Sequence, residues 1–111
     1  MIKAIALIKR KSDITREEFA KHYEEVHAPL ALQHLPMIKR YVRNHVVDVA
    51  GMEGPDFDCM TELWFDTLED AVKVIEFVQS DAGQVIRDDE QRFLDSDKTI
   101  SFLVDEKVSD I

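Results

Sequence analysis

Residues 37–66 read MIKRYVRNHVVDVAGMEGPDFDCMTELWFD, and this stretch decides the fold because it contains two strand patterns separated by a turn. The segment Met37–Asp48 is rich in Tyr and Val, and its side chains alternate between two faces. Residues 51–56 hold glycines and a proline, which favour a turn, and alternation resumes over Phe57–Asp66. We therefore predict that the two strands pair antiparallel.

The two ends of the chain each contain a further strand pattern. Ile2–Ile8 carries apolar side chains at odd and even positions alike, as expected of a strand covered on both faces. Lys98–Val108 alternates through Ile100, Phe102 and Val104, which predicts a fourth strand.

A first helical segment lies between the first two strands. Thr15 and Glu18 have the spacing of a capping box, so we predict that a helix begins there. Its apolar positions follow helical spacing at Phe19, Tyr23, Val26 and Leu30. Because Pro29 disfavours helical dihedral angles at Ala28, we expect a break or kink there, which places His27 at a helix end.

A second helical segment follows the central pair of strands. Thr67 is a suitable N-cap for one helix, and Ser80 begins a shorter helical piece. The predicted inward positions are Leu68, Ala71, Val72, Ile75 and Val78 on the first of these, and Val85, Ile86, Phe93 and Leu94 on the second.

The order of elements is strand, helix, strand, strand, helix, strand. This order is typical of an α+β, ferredoxin-like βαββαβ fold with a four-stranded antiparallel sheet and helices on one face. The chain has 111 residues without a repeat or a linker, so residues 1–111 are expected to form a single domain. The other sheet face would remain bare, and a second copy of the chain is its simplest cover. We therefore expect a homodimer that associates through its sheet faces.

The composition argues against several kinds of partner. Asp and Glu number 23 against 14 Lys and Arg, so the net charge is −9, and such a surface repels nucleic acid and anionic membranes. Cys59 is the sole cysteine, so no internal disulfide can form; we interpret it as a core residue. We expect a reducing, cytoplasmic location, and predict neither a signal peptide nor a membrane span.

Histidine changes its charge near neutral pH, and the chain has four histidines. His27 lies beside the inward stripe of the first helix, which makes it a candidate acid or base; the alternative is a histidine that caps the helix end. His22 is interpreted as a solvated surface residue. His22 and His27 are five positions apart and do not share a helix face, while His27 and His34 lack a third ligand. We therefore predict no metal site.

Strand residues supply further candidates. Tyr41 and His45, with Arg43 between them, point to the same face of the second strand and could line one pocket. The alternative is that Arg43 pairs with a cross-strand carboxylate while Tyr41 packs in the core. Glu62 lies between large apolar residues, which raise the pKa of a carboxyl group, so it is a candidate base. An ion pair with Arg43 or Arg40 is the alternative for Glu62.

No motif in the chain requires a cofactor. Glycine-rich phosphate loops, nucleophile elbows and haem-attachment motifs are absent, so no cofactor is predicted. The acidic run Asp88–Glu90 is interpreted as a solvated helix face.

Four segments of the chain, in order along nearly its whole length, resemble the EthD family. They are residues 24–31 (EEVHAPLA), 41–45 (YVRNH), 61–66 (TELWFD) and 80–95, which begins SDAG and ends DEQRFLD. The resemblance implies a dimeric α+β barrel, in which two ferredoxin-like subunits pack their sheets face to face. Relatives on that fold include dehydratases, decarboxylases, cyclases and monooxygenases, which commonly work without a metal or an organic cofactor.

The resemblance and the residue types together define the functional expectation. The catalytic candidates are His27, Tyr41, His45 and Glu62. The candidates for contacting substrate are Tyr23, Arg43, Trp64 and Phe93. We expect a cofactor-free acid/base enzyme of the dehydratase, decarboxylase or cyclase type, acting on a hydrophobic aromatic or polyketide-like small molecule. The alternatives are a non-catalytic binding or accessory protein that supports an oxidoreductase system, and a cofactor-free monooxygenase.

Overall fold

Four antiparallel strands form the sheet of this protein, which a computed structural model describes over residues 1–111. The strands are β1 Ile2–Ile8, β2 Arg40–His45, β3 Cys59–Phe65 and β4 Ile100–Asp105. Their order in the sheet is β2-β3-β1-β4, and the pairing of β2 with β3 is the one predicted from the central stretch. The prediction of an α+β, ferredoxin-like fold is confirmed, although β2 and β4 are shorter than their sequence patterns.

Helices cover one face of this sheet. They are α1 Arg16–His22, α2 Ala28–His34, α3 Leu68–Gln79 and α4 Gln84–Phe93, with a π-helical turn at Tyr23–His27 and 3₁₀ turns at Asp81–Gly83 and Ser96–Lys98. The predicted capping box is present, since Thr15 and Glu18 bond each other's backbone N–H groups. Thr67 caps α3 by accepting from the Asp70 N–H. None of the helices has the length and apolar character needed to cross a membrane.

The expected break at Pro29 is absent, because a π-helical turn carries the chain past the proline. Ala28 keeps helical dihedral angles, with φ −62° and ψ −46°, and its N–H donates to the Tyr23 carbonyl five residues earlier. Pro29 is the second residue of α2 and directly follows the π-helical turn, so its missing N–H falls at the junction of two helical segments. His27 therefore lies inside a continuous helical segment and not at a helix end.

The π-helical turn also changes which side chains face the sheet. One extra residue in a turn rotates the following positions by about 100°. Val26, predicted to be inward, is consequently 45% exposed, whereas His27, Ala28 and Ala31 are buried. The turn thus points Tyr23 and His27 toward the interior together.

The inward faces of the later helices differ from their predictions as well. On α3 the buried side chains are Ala71 and Val74, while Leu68 and Val72 are exposed. On α4 Val85 is exposed, and the core contains Ile86, Phe93 and Leu94 as predicted. The sequence of each helix has more apolar residues than one helix face can hold. Packing against the rest of the protein therefore decides which of them are buried.

The register fixes which strand residues face the helices. Ala6 on β1 lies opposite Thr61 on β3, and Thr61 lies opposite Arg43 on β2, so these side chains share the helix-covered face. The other face, which we call the open face, carries the alternate positions. Its apolar members include Ile100 and Phe102 of β4, which are 59% and 43% exposed.

Candidate active site

A cavity of about 220 Å³ lies between the helix-covered face of the sheet and the helices. Hydrophobic residues make up 17 of its 21 lining residues, and the others are His27, Thr61, Glu90 and Ser101. Two of the hydrophobic lining residues, Tyr23 and Tyr41, bring hydroxyl groups. An apolar cavity of about 150 Å³ is enough to bind benzene, so this one has room for a small apolar molecule. A mostly apolar cavity with a few polar groups is the usual form of a ligand site.

His27 is held in this cavity by a carboxylate on α4. Its Nδ1 lies 2.9 Å from Asp89 Oδ2, and both side chains are buried. Burial lowers the pKa of His27 from its ordinary value, although the hydrogen bond to Asp89 acts in the opposite direction. The neutral ring therefore carries its proton on Nδ1, facing Asp89, and Nε2 keeps a free lone pair. Nε2 makes no hydrogen bond within the chain, so it is available to a molecule in the cavity.

Asp89 is the hub of a small charged network. Besides His27 it contacts His22 Nε2 at 3.0 Å and Arg92 Nη1 at 3.3 Å. Burial acts to raise the pKa of Asp89, but the hydrogen bonds from His27 and His22 outweigh it, so the pKa lies below the ordinary value. Asp89 is thus an ionised carboxylate with only 2% of its surface exposed.

Two sequence-based interpretations are wrong at this point. Asp89 and Glu90 do not lie on a solvated face, since Asp89 is buried and Glu90 lines the cavity. His22 is not a freely solvated residue either, because it is half-buried against Asp89. The signal that identifies Asp89 is its spacing: it lies three residues after Ile86 and four before Phe93, which are both buried.

A chain of hydroxyl groups also lines the cavity. Tyr41 Oη donates to Tyr23 Oη at 3.0 Å, and Tyr23 Oη shares a 2.7 Å hydrogen bond with Thr61 Oγ1. Burial raises the pKa of Tyr23 well above its ordinary value and that of Tyr41 to about 12. Both phenols are therefore neutral near pH 7 and can serve as hydrogen-bond donors.

Phe93 packs between the two histidines of the network. Its ring centroid lies 4.9 Å from those of both His22 and His27. Tyr23 meets the His27 ring edge-on at 5.6 Å. Of the predicted site residues, His27, Tyr41, Tyr23 and Phe93 thus lie together in the cavity.

His45 and Arg43 share the strand face of Tyr41 but do not reach the cavity, so the expected single pocket for the three is wrong. Arg43 Nη2 lies 2.7 Å from Glu24 Oε1, and His45 Nε2 lies 2.8 Å from Glu24 Oε2. Arg43 above all, with His45, lowers the pKa of Glu24 to about 2. The reason is position: β2 is an edge strand, and Glu24 on the π-helical turn covers its outer residues.

Glu62 and Trp64 lie on the open face, away from the cavity. Glu62 Oε2 lies 2.7 Å from Lys3 Nζ, and this hydrogen bond holds the pKa of Glu62 below its ordinary value. The raised pKa expected for Glu62 is therefore wrong, and its partner is neither Arg43 nor Arg40. Trp64 donates from Nε1 to Glu106 at 2.8 Å.

The remaining potential ligands do not cluster. Cys59 is fully buried, and burial raises the pKa of its thiol to about 11, in agreement with the predicted core role. The structure contains no group of three or more His, Cys, Asp or Glu side chains arranged to hold a metal ion.

The fold and the cavity define a ferredoxin-like α+β protein with a partly open, mostly apolar cavity between its sheet and its helices. The chain belongs to the EthD family, whose domain matches residues 11–97. No curated protein sequence matches it significantly.

Solved structures show the same fold at low sequence identity. An EthD family protein from Bacillus halodurans is 22% identical with a TM-score of 0.72, over 96% of this chain and 99% of that one. A dimeric protein of ferredoxin-like fold from Bacteroides fragilis is 13% identical with a TM-score of 0.62, over 95% of both chains. An antibiotic biosynthesis monooxygenase-like protein from Nitrosomonas europaea is 14% identical with a TM-score of 0.61, over 96% of this chain and 98% of that one.

Proposed function

We propose that this protein is an acid/base enzyme that acts on a hydrophobic, enolisable small molecule, with His27 as the base. The observation that carries the proposal is the 2.9 Å contact between His27 Nδ1 and Asp89 Oδ2 at the wall of an apolar cavity. A carboxylate that holds Nδ1–H of an imidazole fixes the tautomer and stabilises the imidazolium that forms when Nε2 accepts a proton. His27 lines the cavity and its Nε2 makes no hydrogen bond within the chain, which supports a role for this nitrogen toward a bound molecule.

The proposed step is a proton transfer at carbon. Nε2 of His27 removes a proton from the carbon next to a carbonyl group, and the C–H electron pair moves to form an enolate. In a dehydration the β-hydroxyl group then leaves as water with the proton from the His27 imidazolium, and in a cyclisation the enolate attacks a second carbonyl, whose oxygen takes that proton. In a decarboxylation the bond between the α-carbon and the carboxylate breaks first and CO₂ leaves, and the enolate carbon takes a proton from His27 after its Nε2 has taken one up from solvent. General acid/base catalysis of this kind typically contributes about 10²- to 10⁴-fold.

The hydroxyl chain is the proposed stabiliser of the enolate oxygen. Tyr41, Tyr23 and Thr61 line the same cavity as His27. Tyr41 donates to Tyr23, and the bond between Tyr23 and Thr61 leaves one of their two hydroxyl hydrogens free for a carbonyl oxygen that becomes negative. Donors aimed at a developing charge in a dry site give the largest electrostatic benefit. In this arrangement Tyr23 or Thr61 is the direct donor to the enolate oxygen, and Tyr41 supports it by donating to Tyr23.

The substrate class follows from the lining and from the family. The hydrophobic wall favours an aromatic or polyketide-like molecule, and the reaction is proposed without a metal or an organic cofactor. We also propose that two copies associate through their open faces, because Ile100 and Phe102 are exposed there and a structural relative is dimeric.

The experiment that tests the function measures hydrogen–deuterium exchange at the α-carbon of the substrate. This step is common to all the proposed reactions that begin with proton removal, so no particular product has to be assumed. The protein is incubated in D₂O with aromatic β-keto and β-hydroxy ketones, and deuterium entry at the α-carbon is followed by NMR. We expect exchange that His27→Gln abolishes and that His34→Gln retains, since His34 does not line the cavity. Binding without exchange would favour the non-catalytic binding protein. Oxygen consumption with an electron-rich phenol would favour the monooxygenase.

A further inference from the structure

Helix α4 places a carboxyl group on its cavity-facing stripe. Ile86, Glu90 and Phe93 are spaced by four and three residues, and all three line the cavity. Ile86 and Phe93 are buried and apolar, so an apolar residue would be the ordinary choice at the position between them. Glu90 is the only acidic residue among the 21 that line the cavity.

The Glu90 carboxyl group has no partner in the chain. It makes neither a hydrogen bond nor an ion pair, although the adjacent Asp89 is bonded to His22, His27 and Arg92. Arg87, the basic residue one helical turn before Glu90 on α4, is occupied elsewhere, because its guanidinium donates to the Ser80 carbonyl at 2.7 Å and to Gln84 Oε1 at 2.6 Å.

A polar group that is largely removed from water without a partner costs free energy. Burial raises the pKa of Glu90, with Asp89 adding to the rise and Arg87 opposing it. The carboxyl group can therefore be neutral when the cavity is occupied, and a neutral carboxyl both donates and accepts a hydrogen bond. A hydroxyl group is the ligand function that matches both roles at once.

We propose that Glu90 is the ligand-recognition residue of the cavity, and that it selects uncharged molecules with a hydroxyl group at the end that faces α4. This inference rests on the proposed function, since it assumes that the substrate occupies the same cavity. It adds a substrate class: a hydroxylated apolar molecule is accepted, and one that carries a carboxylate at that end is excluded, because no Lys or Arg lines the cavity to neutralise it. Glu90 and His27 then contact different parts of one ligand.

A ligand series that differs in one group tests the proposal. The probes are para-ethylphenol, para-ethyltoluene, para-ethylbenzoate and para-ethylbenzylammonium, with binding measured by calorimetry and NMR shift perturbation. The variants are Glu90→Leu, Glu90→Gln and the control Glu76→Gln, since Glu76 is exposed on α3 and does not line the cavity. Chemical shifts of cavity residues confirm that each probe binds at the site.

We expect wild type to bind para-ethylphenol and to reject para-ethylbenzoate. Glu90→Leu should weaken para-ethylphenol by about tenfold, because one buried hydrogen bond is lost, and should strengthen para-ethyltoluene. Glu90→Gln should keep most of the affinity for the phenol, and Glu76→Gln all of it. Glu90→Leu should also raise the Tm of the unliganded protein, because it removes an unpaired polar group.

Three results would overturn the inference. They are an absence of para-ethylphenol binding to wild type, equal effects of Glu90→Leu on the phenol and the toluene, and tighter binding of para-ethylbenzylammonium than of the phenol. The readout is separate from that of the proposed function, because binding selectivity requires no turnover. Selectivity without α-carbon exchange would leave the Glu90 assignment standing and reject the His27 chemistry.

Discussion

His27 Nδ1 lies 2.9 Å from Asp89 Oδ2, although the two residues are 62 positions apart in the sequence. The contact joins the π-helical turn to α4 within the helical layer. The protonation state of His27 therefore depends on how the π-helical turn packs against α4. Changes at either residue are therefore expected to be visible both in ligand chemistry and in stability.

Replacement of Asp89 tests the tautomer of His27. In Asp89→Asn the amide donates to Nδ1, so the proton moves to Nε2 and the base is lost. We expect α-carbon exchange to fall by about 10²- to 10⁴-fold. The ¹⁵N shifts of His27 should report the change of tautomer directly. Asp88→Asn is the matched control, since Asp88 is exposed beside it and should leave both readouts unchanged.

Acid should destabilise the protein through the same pair. The pKa of folded His27 lies below 6.5, so below that pH the unfolded chain takes up a proton that the folded chain does not. Asp89, with a folded pKa below 3.8, adds a second loss as the pH falls further. We expect the free energy of unfolding to fall as the pH drops below 6.5 toward the lowered pKa of folded His27. His27→Gln should flatten this fall in denaturant titrations, whereas His34→Gln should not; an identical slope in both variants would contradict the assignment.

Gly83 is required by a close approach between the end of α3 and the start of α4. A Cβ atom there would lie 2.7 Å from Val78 Cα and would overlap the carbonyl oxygens of Phe77 and Val78. Gly83→Ala should therefore lower the free energy of unfolding by about 1–3 kcal/mol or more. Gly54→Ala, with nothing within 4 Å of the added atom, should leave stability nearly unchanged in the same chemical denaturation. Equal stabilities would show that the α3–α4 connection relaxes.

The proposed dimer predicts a difference between two equally exposed apolar residues. Phe102 on the open face is 43% exposed and Val85 on α4 is 41% exposed. Phe102→Lys should shift the protein to monomers, because it buries a charge in the apolar contact. Val85→Lys should leave the dimer intact. Light scattering after gel filtration measures the molar mass of both variants. If Phe102→Lys is still a dimer, the contact between the two copies lies elsewhere.

The sheet could be predicted from local pattern, but the site could not be predicted in full. The strands and the caps at Thr15 and Thr67 follow from alternation and side-chain chemistry that act within a few residues. The continuous helix at Pro29 depends on the π-helical turn at Tyr23–His27, which the local apolar pattern does not indicate. Asp89 and His27 lie on segments that are distant in the sequence. The sequence alone therefore predicts that the acidic run Asp88–Glu90 is solvated, because it does not show that His27 pairs with Asp89.

Strand alternation has a related limit. It correctly places Tyr41 and His45 on one face of β2, but it says neither which residues of β3 share that face nor which face the helices cover. Glu62 consequently faces Lys3 on the open face, and not the cavity. Position within the sheet matters too, because His45 shares the face of Tyr41 yet lies at the edge with Glu24.

The sheet separates the aromatic chromophores of the chain. Trp64, the single tryptophan, lies on the open face, where Lys3 and Arg40 contact its ring and Glu106 accepts from its indole N–H. The two tyrosines, Tyr23 and Tyr41, both line the cavity on the opposite side. Tryptophan emission is thus a built-in optical signal for association of the sheets, and tyrosine ultraviolet absorbance one for occupancy of the cavity. One unlabelled sample can therefore report the two events at separate wavelengths.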